Sequence, residues 1–216
     1  MDLGQNLLRF NLEKRKFIVL DTETEGLNLL RSRPWEIAWA IYHGKEKQRE
    51  YQYFLKWPNL KVTEGAAKAT GFKKENIEMY GKDPKEIIDL FNKDLYNPEY
   101  SIVAANILGF DNYIVNLSRK SLGYKTDYSY IDRVYDTAAI SRAYRLGIKI
   151  PADKNDFIPF QYRVLSIIQK DLKTKNSEMA QEFGMTVDLS KVHGAQYDID
   201  LTFFVFTELA NKMDLI

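Results

Sequence analysis

Phe17-Ile18-Val19-Leu20-Asp21-Thr22-Glu23 is the stretch on which the fold turns. Its first four residues are apolar with no polar alternation, the pattern of a central strand covered on both faces. The run then ends on a carboxylate. Side chains on a strand alternate, so Phe17, Val19, Asp21 and Glu23 share one face. Two carboxylates thus project together from the C-terminal end of a central strand, the end where sites form in open α/β sheets. Neighbouring carboxylates repel unless one is protonated or a cation bridges them. Their hard oxygens suit magnesium or manganese. Taken alone, the same residues are explained as well by a polar turn that begins at Asp21.

Outward from this strand, helix-like and strand-like runs alternate, which predicts an α/β layer fold. Residues 37–42 and 50–55 are two further strands, and Gly44-Lys45 between them predicts an antiparallel meander. Asp83-Pro84 starts a helix with an N-cap and a proline at the first helical position, and Ile87, Leu90, Phe91 and Leu95 form its apolar stripe. Residues 101–105 and 133–136 are the fourth and fifth strands. Helices are expected at 111–122, 137–146, 161–170, 176–183 and 195–212, with a proline-bearing loop over 148–159.

The bulk properties narrow the function. The chain has 216 residues and 45% apolar content, which predicts one domain over 1–216 with its core at about 16–212. There are no cysteines, so disulfides, cysteine-based zinc sites and thiol catalysis are excluded and a reducing compartment is expected. Residues 1–10 lack the charged flank and apolar run of a signal peptide. No stretch approaches the ~20 apolar residues of a membrane span, so a cytoplasmic protein without a membrane partner is expected. Net charge is only +1, so any contact with nucleic acid must be local.

Two more carboxylates stand out by position. Continuing the helical period from Asp111 gives Ile114, Val115, Ser118 and Leu122; from Asp198 it gives Leu201, Thr202, Val205 and Leu209. Each acid therefore heads an inward-facing stripe, whereas Asp200 lies roughly 200° around its helix and is expected to be solvated. A helix N-terminus favours acids in its first turn, but that does not explain an acid facing the core, where an unpaired charge is costly. His193 is one of two histidines. On a continuous helix it would sit roughly 140° from Asp198, so the two converge only if His193 precedes the helix, a break that Gly194 permits. His43, in the turn Tyr42-His43-Gly44, has no such carboxylate pattern beside it.

These residues resemble a known pattern. Asp21-Thr22-Glu23-Thr24-Glu25-Gly26-Leu27 is similar to the first motif of the DnaQ-like, or DEDDh, 3′–5′ exonucleases. Asn106-Ile107-Leu108-Gly109-Phe110-Asp111 resembles their second motif, and His193 with Asp198 five positions on resembles their third. Trp35-Glu36-Ile37-Ala38 is similar to the family's second-strand signature, and Asp136-Thr137 with Arg142 to its fifth-strand signature. The resemblance runs from about residue 17 to 209. It departs at Glu25, where a hydroxyl residue is more usual near the substrate's 3′ end, and at Ala105, where many members have histidine. The Asn106–Asp111 spacing is the longer of the two that the family uses. Residues 149–176 are longer than expected and are read as a family-variable insertion that carries specificity.

The resemblance implies a ribonuclease-H-like fold, a five-stranded mixed β-sheet flanked by α-helices. It implies two divalent ions, Mg2+ or Mn2+, bound by Asp21, Glu23, Asp111 and Asp198. His193 would be the general base, since an unperturbed imidazole titrates near ~6.5. Thr22, Thr24 and Leu27 would line the pocket for the last nucleotide, while Asn106 and Phe110 would support the strand, with Phe110 either available for stacking or simply packed in the core. Lys68, Lys73 and Lys74 could touch phosphates, although a lysine-rich helix end is usually a solvated face. The activity implied is hydrolysis of terminal phosphodiesters at the 3′ end of single-stranded nucleic acid, releasing nucleoside 5′-monophosphates. DNA is favoured, with a DNA polymerase as a proofreading partner; RNA or oligoribonucleotides are the alternative substrates. Two other classes stand beside it. A non-catalytic nucleic-acid- or polymerase-binding module would not require four acids and a histidine. A haloacid-dehalogenase-type phosphatase needs a second aspartate where Glu23 stands.

Overall fold

The structure is a computed structural model and describes residues 10–215. The signal-peptide reading of residues 1–10 therefore lies, apart from Phe10, outside the described residues. Five strands form one sheet: β1 (Lys16–Thr24), β2 (Pro34–His43), β3 (Glu46–Phe54), β4 (Tyr100–Ala104) and β5 (Val134–Asp136). Their order is β3-β2-β1-β4-β5. β1 pairs antiparallel with β2, and β2 with β3, which is the expected meander. β4 and β5 add on the other side in parallel, each after a crossover. The sheet is thus mixed, with β1 at its centre.

β1 does not stop at Leu20. It stays paired with β2 through Thr24, with Asp21 opposite Ala38 and Glu23 opposite Glu36, and the register shifts only between Glu23 and Thr24. The polar-turn account of Asp21 to Thr24 fails for that reason: these residues are strand.

The strand alternation sorts the core into two layers. Phe17, Val19, Ala38 and Val103 pack with Leu201, Val205, Phe206 and Leu209 of α8 (Ala195–Lys212). Ile18, Leu20, Trp39 and Ile102 pack on the other face with Ile87, Ile88 and Phe91 of α3 (Pro84–Leu95). At about 25 cal/mol per Å², burial of residues of this kind stabilises by roughly 1.5–3 kcal/mol each. Asp21 and Glu23 continue the row of Phe17 and Val19, so they emerge on the α8 side.

Two helices were not expected, α1 (Glu64–Thr70) and α2 (Lys74–Tyr80). Each has seven residues; α1 buries none of them and α2 only Ile77, too few to make an apolar stripe. The signals of α1 are its ends: the Thr63 hydroxyl accepts from Ala66 N–H, and Gly71 closes it at φ 68°. Helix α4 (Asp111–Ser121) and α5 (Thr137–Leu146) lie where expected. Helix α6 (Phe157–Leu165) corrects the predicted loop over 148–159 and the predicted helix over 161–170. Pro159 sits in its first turn, where a missing N–H breaks no helical bond. Phe157, Phe160 and Val164 enter the core, and the Gln161 amide accepts from Asp136 N–H (2.6 Å) and donates to Val134 C=O (3.0 Å). Part of the 149–176 segment is therefore core. After α7 (Asn176–Glu182) the chain returns into α8. Among the described residues no helix is long and apolar enough to cross a membrane.

Candidate active site

Three of the four predicted acids converge. One carboxylate oxygen each from Asp21, Glu23 and Asp198 lies within 4.8 Å of the others. β1 supplies the first two from alternate positions, and the first turn of α8 supplies the third. Asp111 is not a member of this group. It approaches from the layer on the other face of the sheet, where its Oδ1 accepts a 2.6 Å hydrogen bond from the Thr22 hydroxyl. It is buried, and its charge still reaches Asp21.

The electrostatics follow from this crowding. Burial pushes Glu23 up to about 8, helped by the charges of Glu36, Asp198 and Asp111. Asp21 is held well above the carboxylate range by burial and then by Asp111, Glu23, Asp198 and Glu36. Asp111 is pushed up to about 7 by burial, against the Thr22 hydrogen bond. Burial also raises Asp198, while the His193 backbone N–H bonded to its Oδ2 (3.1 Å) pulls the other way. Burial of the charged form is the first cause of each shift, and neighbouring acids add to it at Asp21 and Glu23. A divalent ion held by these hard oxygens would reverse every one of them, so the donor set fits Mg2+ or Mn2+.

Glu36 is the acid that sequence reasoning did not place at the site. It faces Glu23 across the β1–β2 ladder, is only 4% exposed and receives a 2.6 Å hydrogen bond from Gln52. Burial raises its pKa, Gln52 lowers it and Asp198 raises it again. The strand register could have found it, since Glu23 and Glu36 are a cross-strand pair of the β1–β2 ladder, joined by the loop over residues 25–33.

His193 does precede α8, but the break is at His193 itself. Its φ is 71°, in the left-handed region, while Gly194 is extended at φ −109°. Gly194 matters for space instead: a Cβ there would sit 3.3 Å from the Lys191 carbonyl oxygen. The His193 side chain is exposed and lines a cavity of about 440 Å³ together with Asp21, Asp198 and Lys175. Asp200 is not simply solvated. Lys47 pairs with it at 2.6 Å, and the Tyr42 hydroxyl donates to it at 2.9 Å.

A second cavity, of about 450 Å³, opens on the Glu23 side of the acids. Thr22, Thr24, Leu27 and Phe110 line it, with Thr63 and Ala66 at the start of α1 also in its wall. Leu27 is 87% exposed, an apolar side chain held in water beside the acids. The Thr24 hydroxyl is committed to the Gly26 carbonyl at 2.8 Å. Asn106 does not line this cavity. It adopts φ 58°, and a Cβ on Gly109 would stand 2.5 Å from its Oδ1, so a larger residue there would displace the Asn106 side chain. Lys68, Lys73 and Lys74 are also absent from the lining, and Lys74 pairs with Glu78.

Asp136 ties the Asn106–Asp111 turn to α5. It is fully buried and accepts from the N–H groups of Asn106 (2.9 Å), Leu108 (3.0 Å), Ala138 (3.0 Å) and Ala139 (3.3 Å). Burial raises it to about 6 against these four bonds. Arg142 donates to the Leu165 and Ile167 carbonyls and so closes the end of α6.

Glu25 does not add negative charge to the cavity. Its carboxylate makes a fork with the Arg33 guanidinium (2.8 and 2.9 Å) and accepts from the N–H groups of Arg33 and Lys61. Those contacts outweigh burial and hold its pKa below the usual value. It is a clasp for the loop after β1.

No family model matches the chain, and no curated protein matches it in sequence. Solved structures do. Escherichia coli exonuclease I bound to single-stranded DNA with zinc superposes at TM-score 0.70 and 16% identity, over 92% of this chain and 41% of that one. The same enzyme with a dA16 oligonucleotide gives 0.71 at 17% identity over 93% and 41%. The chain has the fold of exonuclease I. It is the expected ribonuclease-H-like α/β architecture, a five-stranded mixed sheet between helices. The chain spans about two fifths of the exonuclease I chains it matches.

Proposed function

We propose that the chain is a metal-dependent 3′–5′ exonuclease of the DEDDh type, acting on single-stranded nucleic acid with DNA favoured. The observation that carries this is the Asp21–Glu23–Asp198 group, with oxygens within 4.8 Å, at the C-terminal end of the central strand of an exonuclease I fold. Exonuclease I has been solved with dA16 and dT13 oligonucleotides, which supports a DNA strand as substrate. A purely binding module has no use for buried acids that repel one another.

Asp21, Glu23 and Asp198 would hold divalent ions, with Asp111, hydrogen-bonded to Thr22, as the fourth acid beside them. Such ions lower the pKa of water and stabilise a leaving oxygen. Leu27 and Phe110 clamp the terminal nucleotide in the 450 Å³ cavity. His193 takes the proton of the attacking water on an imidazole nitrogen, and its exposure lets it pass that proton to solvent. Water oxygen bonds to phosphorus, the penultimate 3′ oxygen departs, and a nucleoside 5′-monophosphate is released.

The test uses 5′-labelled DNA, RNA and dinucleotides, each with a free or blocked 3′ end, with Mg2+ or Mn2+. Stepwise shortening that needs the free 3′ end is expected, fastest on DNA. Intact substrate under all conditions refutes the reading. Faster shortening of RNA would keep the chemistry and reassign the substrate.

A further inference from the structure

Outside the acids and His193, the 440 Å³ cavity has one ammonium in its lining, that of Lys175. Lys175 directly precedes α7, and its backbone is fixed rather than loose. The next residue, Asn176, donates from Nδ2 to Thr202 Oγ1 at 2.7 Å and accepts from the Thr137 hydroxyl at 3.4 Å. Thr202 stands one turn along α8 from Asp198, so Lys175 and Asp198 are set on one frame. The Lys175 carbonyl accepts from Met179 N–H at 2.9 Å, which holds it to α7 as well.

The side chain is nevertheless exposed, and no ion pair joins it to any described residue. Other lysines differ: Lys47 pairs with Asp200, Lys74 with Glu78 and Lys191 with Asp188. Lys175 shares a cavity with Asp21 and Asp198 and still stays apart from them. A strand that enters this cavity brings anionic phosphate oxygens to a region whose other charges are mostly negative. A fixed cation at the rim is what that strand lacks.

We propose that Lys175 binds a phosphate of the substrate strand, on the opposite side of the acid group from the Leu27–Phe110 cavity. The proposal rests on the exonuclease reading and adds a function for the connection that leads into α7. That connection carries a phosphate contact to the acids, and its length sets where the contact falls.

The experiment compares wild type, K175M and K175R on a 5′-labelled single strand, with KM, kcat and the dependence of kcat/KM on KCl. Loss of one phosphate contact on a single strand should flatten the slope of log(kcat/KM) against log[KCl] by about 0.7. KM should rise by about tenfold in K175M with kcat changed by less than about threefold, as expected when a ground-state contact is lost. K175R should restore both. An unchanged salt slope in K175M overturns the proposal, whatever the activity. Tighter Mn2+ binding with an unchanged slope would assign Lys175 to the carboxylates and overturn it too. Should K175M fail to fold, K175Q is read by the same slope. If the wild type shortens no strand, the exonuclease reading falls; if it does and only the slope stays constant, Lys175 alone falls.

Discussion

Replacing Glu23 by glutamine should stabilise the metal-free protein at pH 8, although it removes a predicted ligand. The folded-state pKa of Glu23 stands at about 8 against an ordinary value of 4.5, with burial the main cause and Glu36, Asp198 and Asp111 adding to it. A carboxyl whose pKa is raised by folding binds more protons folded than unfolded between those two values. Stability is therefore fully present below pH 4.5 and is lost as pH rises toward 8. Over that window the loss from Glu23 alone is about 4 kcal/mol, from about 1.4 kcal/mol per pKa unit. For a domain of this size each kcal/mol moves the melting temperature by roughly 2–4 °C, so the shift is on the order of 10 °C. The assay is thermal unfolding of chelator-treated wild type and E23Q from pH 5 to pH 8. The wild type should lose stability as pH rises, with Asp111 contributing near pH 7. E23Q should lose much less and melt higher at pH 8. Adding Mn2+ should raise the wild-type melting point most at pH 8 and E23Q little. A wild-type melting temperature that is flat across this range without metal would refute the reasoning, because acids this crowded cannot ionise freely.

Other outcomes test the remaining parts. D21A should show no hydrolysis with either Mg2+ or Mn2+, and a fully active variant would remove the metal-site reading. H193A should lower kcat by about 10²–10⁴-fold while Mn2+ binding by calorimetry stays close to wild type. Near wild-type turnover would end its role as base. D136A leaves the N–H groups of Asn106 and Leu108 without their acceptor. It should cost about 3 kcal/mol in urea unfolding and lower activity through misplacement of the turn that ends at Asp111. A variant as stable as wild type would show that this carboxylate does not hold the turn.

The parts of the fold that were legible share a cause. Phe17 to Leu20, the Asp83-Pro84 cap, α5 and α8 each combine a boundary signal with a long apolar pattern, and local physics decides them. Helix α1 has a cap but buries no residue, so nothing in its periodicity announces it. Helix α6 was masked by Pro159, which reads as loop unless its place in a first turn is known. The same division runs through the site. Asp111 and Asp198 were visible because each heads a helix stripe. Glu36 was not, because it meets Glu23 only through strand register. The partner of Glu25 is eight residues away around a loop, and no spacing rule leads to Arg33. Asp111 was expected to join the other acids directly, but it arrives through Thr22 from the opposite face. Strand alternation had put Thr22 on that face from the start.

The Gln161 amide, described above as bonded to Val134 and Asp136, has a consequence for how this sheet meets other chains. A short outermost strand normally presents bare N–H and C=O groups on which a foreign strand can crystallise into a ladder. Here one buried side chain from α6 occupies both groups as a single residue of a sixth strand would. At the far side β3 is guarded differently, by the exposed charges of Glu46, Lys47 and Arg49. The sheet is finished at both ends, one by a mimic and one by charge.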